Sequence, residues 1–155
     1  MIHGIIDIGS NTIRMAIYDI AGEKIDFLMK KKHLVGLAAY LENNVMTKAG
    51  IDKVCEVLFE FRSFLEIFHI SQVTAFTTAA LRNCRNSREA VEEIIRRTGI
   101  DIEIISGDKE AEYDFIGATR NIAEKDGVLA DIGGASPELV AFREGKLISK
   151  VSLPM

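Results

Sequence analysis

The chain's 155 residues, 48% apolar and 27% charged, have the balance of a folded globular protein, which excludes disordered, collagen-like and disulfide-built classes; the length suits a single domain of ordinary size. The 19 basic residues against 23 acidic ones leave a formal net charge of −4, no footprint for nucleic acid as a partner, although a local basic groove is compatible with that total. Cys55 and Cys84 lie outside any CxxC or Cys/His cluster, which argues for a reducing compartment and against structural zinc; without an apolar run of about 18 residues or a charged-then-apolar leader, a cytoplasmic protein with no membrane partner is expected.

Strand signals open the chain. Ile2 to Ile8, Thr12 to Ile20 and Lys24 to Met29 are rich in isoleucine and are separated by Gly9-Ser10-Asn11 and Ala21-Gly22, turns short enough to impose an antiparallel meander of three strands. Lys30 to Asn44 has no clear period and begins on Lys30-Lys31-Lys32-His33, so it reads as a connection. From Thr47 the spacing of Ile51, Val54, Cys55, Leu58, Phe61, Leu65 and Phe68 predicts a helix with a long apolar stripe. Val73 to Phe76 then reads as a strand, Ser87 to Arg97 as a helix closed by Gly99, and Ile100 to Ile105 as another strand. Glu110 to Ile122 is helical in pattern, Val128 to Ile132 reads as a buried strand, and Leu139 to Phe142 with Leu147 to Val151 form a hairpin around Glu144-Gly145. The order βββ, α, β, α, β, α, βββ predicts an α/β fold in which an antiparallel meander leads into parallel strands reached through helices on both faces of a mixed sheet.

Two segments echo each other. Ile6-Asp7-Ile8-Gly9-Ser10-Asn11 and Ala130-Asp131-Ile132-Gly133-Gly134-Ala135-Ser136 share an apolar residue, Asp-Ile-Gly and then small polar residues. Each ends a strand on an acid and turns on residues that leave backbone N–H groups uncovered, so each turn can cradle phosphate oxygens, and the acid beside it can hold Mg²⁺ directly or through water. Taken singly, either turn reads first as a hairpin with glycine where φ must be positive. The pair together favours two loops on one phosphate chain.

Four motifs in order, Asp7-Ile8-Gly9-Ser10-Asn11-Thr12-Ile13-Arg14, Thr77-Thr78-Ala79-Ala80-Leu81-Arg82 with Asn86, Ile104-Ile105-Ser106-Gly107-Asp108-Lys109-Glu110-Ala111, and Asp131-Ile132-Gly133-Gly134-Ala135-Ser136-Pro137-Glu138, resemble the exopolyphosphatase and guanosine pentaphosphate phosphohydrolase (Ppx/GppA) family. That family lies within the superfamily of actin, sugar kinases and Hsp70 ATPases, so the resemblance implies a ribonuclease H-like, actin-like ATPase domain. It also implies a Mg²⁺-dependent enzyme acting on polyphosphate or on guanosine penta- or tetraphosphate. Gly9, Ser10 and Asn11 would form the first phosphate loop, and Gly133, Gly134, Ala135 and Ser136 the second. Asp7, Asp131 and Glu138 would be metal-site carboxylates. Glu110 would be the general base for the attacking water, and Arg82 the arginine on substrate phosphate, its fork suited to phosphoryl oxygens. From the residues alone, Glu110 reads as a first-turn glutamate favourable to the helix dipole, and Arg82 as a surface charge beside Asn83 and Arg85; the motif is what points both to catalysis. Ala135 stands where the family has glycine, and Pro137 where it has a hydroxyl residue, which removes one backbone donor. The family closes its site with a second domain and can form dimers, so a further domain of the same chain and a homodimer are expected partners.

Arg14, where the family has a basic residue, reads equally as structural or functional. Lys30, Lys31, Lys32 and His33 either steer a polyanion or form a solvated charge run. His3 and His69 read as packing residues, Cys55 as a core hydrophobe and Cys84 as a non-nucleophile. Two functions from other classes stay open beside the phosphohydrolase: an ATPase-type phosphotransfer domain, and a non-catalytic module that senses polyphosphate or nucleotide.

Overall fold

Alternation sets the first sheet. In the computed structural model, which describes residues 1–120, 122–133 and 137–153, strand β1 (Ile2–Ile8) buries Ile6 and Ile8 on one face and leaves Ile5 and Asp7 half-buried on the other. Strand β2 (Thr12–Ala21) runs antiparallel to it, with Ile5 opposite Ala16, Asp7 opposite Arg14 and Ile8 opposite Ile13. Ile13, Met15 and Ile17 therefore join the same buried face.

Strand β3 (Lys24–Leu34) continues five residues past the expected end at Met29, pairing Lys30 to Leu34 with Ala16 to Thr12 of β2. The lysine run hides the strand in the sequence, yet its alternation is strict: Lys31 and His33 are half-buried, whereas Lys30, Lys32 and Leu34 are exposed. The rest of the expected connection forms a short 3₁₀ turn (Leu37–Tyr40) and a small hairpin, β4 (Leu41–Glu42) with β5 (Val45–Met46). Asn43 and Asn44 close that hairpin at φ of 51° and 60°, left-handed values that asparagine tolerates better than most residues.

Helix α1 (Lys48–Ile67) starts where expected, capped by the Thr47 hydroxyl, which accepts the Gly50 N–H at 3.3 Å. Gly50 permits a close approach: a Cβ there would lie 2.5 Å from Met46 Sδ and 2.8 Å from Tyr40 Cβ. Val54, Cys55, Leu58, Phe61 and Leu65 form the buried stripe, but Phe68, expected to extend it, is exposed because the helix has ended. His69 is a second correction: it is exposed and takes φ of 54°, and the following Ile70 N–H returns to Leu65 O at 2.8 Å, so this histidine terminates the helix rather than packing.

Strand β6 (Gln72–Thr77) lies parallel to β1, and β7 (Glu103–Ile104) parallel to β6, giving a five-stranded mixed sheet in the order β3-β2-β1-β6-β7. Between them come helices α2 (Ala79–Arg82), which the sequence did not signal, and α3 (Ser87–Thr98), ended by Gly99 at φ of 70°. The strand expected over Ile100 to Ile105 reduces to two residues: the Ile100 N–H turns to the Thr98 hydroxyl, and Ile100 and Ile102 enter the core instead of a ladder.

The chain divides into two compact units, Met1–Ile104, just described, and Ile105–Met155. In the second, helix α4 (Gly107–Thr119) packs on a three-stranded antiparallel sheet of β8 (Gly127–Ile132), β9 (Pro137–Arg143) and β10 (Lys146–Ser152), ordered β10-β9-β8. The β9–β10 turn has Glu144 and Gly145 at φ of 51° and 72°, as its sequence signals. Phe142 is the centre of this unit: its ring lies 5.5 Å from that of Phe115, and a Cβ on Gly127 would come within 3.0 Å of it. Strand β8 is not the buried strand its apolar run implies. It is an edge strand, and Val128 and Ile132, on the face away from Phe142, are 72% and 80% exposed.

Candidate functional site

The first loop is held from two sides. Gly9 N–H closes the β1–β2 turn on Thr12 O at 3.0 Å, and a Cβ at Gly9 would lie 3.1 Å from that same oxygen, so glycine is required here by close approach. Of the three N–H groups expected to face a phosphate, one is thus spent in the turn. Asn11 O accepts from both Val35 N and Gly36 N at 2.9 Å, while Ile8 O accepts from the Thr77 hydroxyl at 3.0 Å and Thr78 N at 3.3 Å. These bonds tie Gly9, Ser10 and Asn11 to the end of β3 and to the turn that leads into α2. Ser10 is buried and Asn11 exposed.

Asp7, at the end of β1, is matched by a residue the sequence left undecided: Arg14 Nε lies 2.7 Å from Asp7 Oδ2 across the ladder. Arg82 ends α2, half-buried, with its Nε donating to Asn83 Oδ1 at 3.3 Å. The loop that follows is fastened by asparagines, of which the second motif singled out Asn86 without a role. Asn86 Nδ2 donates to Met46 O at 2.9 Å, and its Oδ1 accepts the Met46 N–H at 2.8 Å. Asn44 Nδ2 donates to Asn83 O at 3.0 Å, and its own carbonyl accepts from Arg85 N at 2.7 Å. The small β4–β5 hairpin is therefore the buttress of the Arg82 loop. Contacts of Asn86 with Met46, and of Asn44 with Asn83 and Arg85, join segments about 40 residues apart and leave no local pattern to read.

Cys55 and Cys84 are buried and unbridged, and burial pushes both thiols up from their ordinary pKa. Cys55 has the packing role the sequence assigns it, and Cys84 joins the same buried cluster. His3, half-buried, shares a 2.8 Å hydrogen bond with the Thr74 hydroxyl.

In the second unit, Ser106 caps α4 by accepting the Lys109 N–H at 3.2 Å, which places Glu110 in the first full turn, half-buried, with its N–H on Ser106 O at 2.9 Å. Asp131 and Glu138 stand directly opposite each other on β8 and β9. Glu138 is four residues before Phe142 on the same strand, so both carboxylates lie on the face that α4 covers. Asp131 is exposed; Glu138 is 2% exposed, and its Oε1 accepts from Ser152 Oγ at 2.8 Å. Gly133 is exposed at the end of β8, while Gly134, Ala135 and Ser136 lie outside the described residues. The first unit thus brings together Asp7, the Gly9–Asn11 loop and the helix that carries Arg82; the second brings together the helix that carries Glu110 with Asp131 and Glu138.

Among the described residues, no helix is long and apolar enough to cross a membrane.

A model of the Ppx/GppA phosphatase family matches residues 16–155. Exopolyphosphatase 1 of Mycobacterium tuberculosis is 26% identical over 156 residues, a match that takes in 98% of this chain and 45% of that protein. The crystal structure of an exopolyphosphatase from Cytophaga hutchinsonii superposes with a TM-score of 0.92 at 29% identity, over 100% of this chain and 51% of that one. An Aquifex aeolicus Ppx/GppA family member gives 0.84 at 26%, over 99% and 51%. In fold alone the likeness extends to EutJ of Carboxydothermus hydrogenoformans, at a TM-score of 0.57, and to MreB5 of Spiroplasma citri, at 0.50, as an actin-like ATPase fold requires. The chain spans about half the length of the relatives it matches. By the family model's match over most of its length, the chain belongs to the Ppx/GppA phosphatase family.

Proposed function

We propose that this chain carries phosphate-handling groups of a hydrolase that removes the terminal phosphate of inorganic polyphosphate, with guanosine pentaphosphate as the alternative substrate for the same chemistry. Family membership supports the reaction class. The assignment of groups rests on one observation, the carboxylates Asp131 and Glu138 at directly opposed positions of β8 and β9. Like charges at directly opposed positions destabilise a sheet, and a cation shared by the pair would offset that cost. No three His, Cys, Asp or Glu side chains gather among the described residues. Two carboxylates without a full cage suit Mg²⁺, which completes its shell with water and substrate phosphate oxygens. Held by Asp131 and Glu138, that ion would neutralise charge on the phosphoryl oxygens.

The chain's own residues divide the remaining work. The N–H groups of Ser10 and Asn11 and the guanidinium of Arg82 bind phosphoryl oxygens, and the arginine fork takes two at once. Glu110 accepts a proton from the water that attacks the terminal phosphorus in line with the departing oxygen; the new P–O bond forms as the anhydride P–O bond breaks, and the shortened chain leaves with the electron pair. The test is phosphate release by the full-length protein from long-chain polyphosphate and from guanosine pentaphosphate, with Mg²⁺ and with a chelator. Mg²⁺-dependent release from either substrate is expected, and no release from both would overturn the proposal. Tight binding of polyphosphate without release would instead favour a sensing module, a reading supported by the spent Gly9 N–H and by the Arg14 partner of Asp7.

A further inference from the structure

We propose that the face of the five-stranded sheet turned away from α1 holds a linear polyphosphate along a cationic row of Arg14, Lys32 and Lys30. The inference rests on the function proposed above and adds to it a site for the part of the anion beyond its terminal phosphates.

Strand register sorts the lysine cluster into two halves. Lys31 and His33 share the face of Met15 and Ile13 and turn toward α1, where both meet the Glu60 carboxylate, His33 Nε2 at 3.1 Å. Lys30 and Lys32 take the opposite face, exposed and in no ion pair among the described residues. Lys32 stands directly opposite Arg14, and Arg14 directly opposite Asp7. The row continues through Phe76 of β6 to Glu103 of β7, so that one line across the sheet reads Glu103, Phe76, Asp7, Arg14, Lys32. Its acids lie at one side and its bases at the other.

Two features mark the basic side as a binding surface. Arg14 and Lys32 are like charges at directly opposed positions, an arrangement that costs stability in the absence of an anion, and only Arg14 has a counter-charge in Asp7. The other acids of β2 and β3 are already taken up: Asp19 by the N-terminal ammonium at 2.8 Å and Asp26 by Lys24 at 2.7 Å. Residues two apart on a strand are separated by about 6.6 Å, and opposed residues by about 5 Å at Cβ, so the three cations form one continuous strip. That strip begins beside Asp7, two residues before the Gly9 loop, and runs outward to the edge strand. A row of cations continuing past a phosphate loop matches an anion that itself continues, with closely spaced charges and no base to stack. This favours polyphosphate over a guanosine nucleotide, whose phosphates end after a few units.

The experiment measures the Kd of the full-length protein for long-chain polyphosphate as a function of salt, for wild type, the Lys30→Ala/Lys32→Ala double variant, and Lys31→Ala, with thermal melting to verify that each is folded. The row predicts a loss of about fivefold per outward lysine at low salt, and a salt slope lower by about 1 for each. The loss is larger for long chains than for tripolyphosphate. Lys31→Ala removes the same charge from the same strand but from the other face, and leaves the Kd unchanged. An equal loss in Lys31→Ala, an unchanged slope in the double variant, or no polyphosphate binding by wild type would overturn the proposal, as would tighter binding of a single-stranded oligonucleotide of equal phosphate count. Because binding is read rather than turnover, lysine-dependent binding without phosphate release would sustain the row while the hydrolase assignment failed.

Discussion

Replacing Asn86 by alanine tests the buttress of the Arg82 loop. The side chain makes two part-buried hydrogen bonds of 2.8 and 2.9 Å to one peptide unit, the N–H and C=O of Met46. Each bond contributes about 1 kcal/mol net, and a buried backbone group left without a partner costs about 1–3 kcal/mol. Asn86→Ala strips both at once from a residue that is 2% exposed, so a loss of about 2–4 kcal/mol is expected. Asn86→Asp keeps the acceptor for Met46 N–H but sets a carboxylate against Met46 O, so it costs at least as much. Urea unfolding reads the effect: with a slope of about 2 kcal/mol/M, the alanine midpoint falls by about 1 to 2 M with the slope unchanged. A loss below about 0.5 kcal/mol in both variants would refute the reasoning, because it would mean that the hairpin does not depend on this side chain.

Three further expectations follow from particular contacts. Gly50→Ala places a methyl against Met46 Sδ and Tyr40 Cβ at 2.5 and 2.8 Å, so it destabilises by about 1–3 kcal/mol although alanine is the better helix former; equal or higher stability in denaturant melts would contradict this. Glu60 is held below its ordinary 4.5 first by Lys31 and then by the charge and hydrogen bond of His33. Its folded pKa is depressed, so its contribution is present above that ordinary value and is lost as pH falls through the folded value. Glu60→Gln therefore shrinks the gap between urea midpoints at neutral and acid pH, and an unchanged gap would count against the ion pair. Cys55 and Cys84, buried with thiols pushed up by desolvation, resist alkylation in the native protein at mildly alkaline pH and react fully in denaturant; rapid native labelling would show that they are accessible.

Periodicity carried most of the architecture. Ile6, Ile8, Ile13, Met15 and Ile17 alternate cleanly, the α1 stripe recurs at three and four, and Glu144-Gly145 announces its turn, so these elements were legible. Strand β3 was not, because Lys30 to His33 presents charge on both faces and its inward members are made tolerable only by Glu60, 29 and 27 residues further on. The exposure of β8 was hidden for the opposite reason: an apolar run has the same composition whether it lies inside a sheet or at its edge. At the candidate site, the first Asp-Ile-Gly marks the Gly9–Asn11 turn in the sequence, whereas the register that sets Asp131 opposite Glu138 is visible only once β8 and β9 pair. Arg14 as the partner of Asp7 and the Asn44, Asn83 and Asn86 fastening depend on register and on contacts between distant segments, which no local pattern encodes.

The proposed role of Glu110 as general base has a direct test. Single-turnover release of phosphate from polyphosphate by the full-length protein, comparing wild type with Glu110→Gln, isolates it, because the amide keeps the shape of the side chain and removes only its ability to take a proton. A rate lower by about 10²–10⁴ with polyphosphate affinity retained is the predicted result. Turnover at the wild-type rate would contradict it and return Glu110 to an ordinary residue of a capped helix.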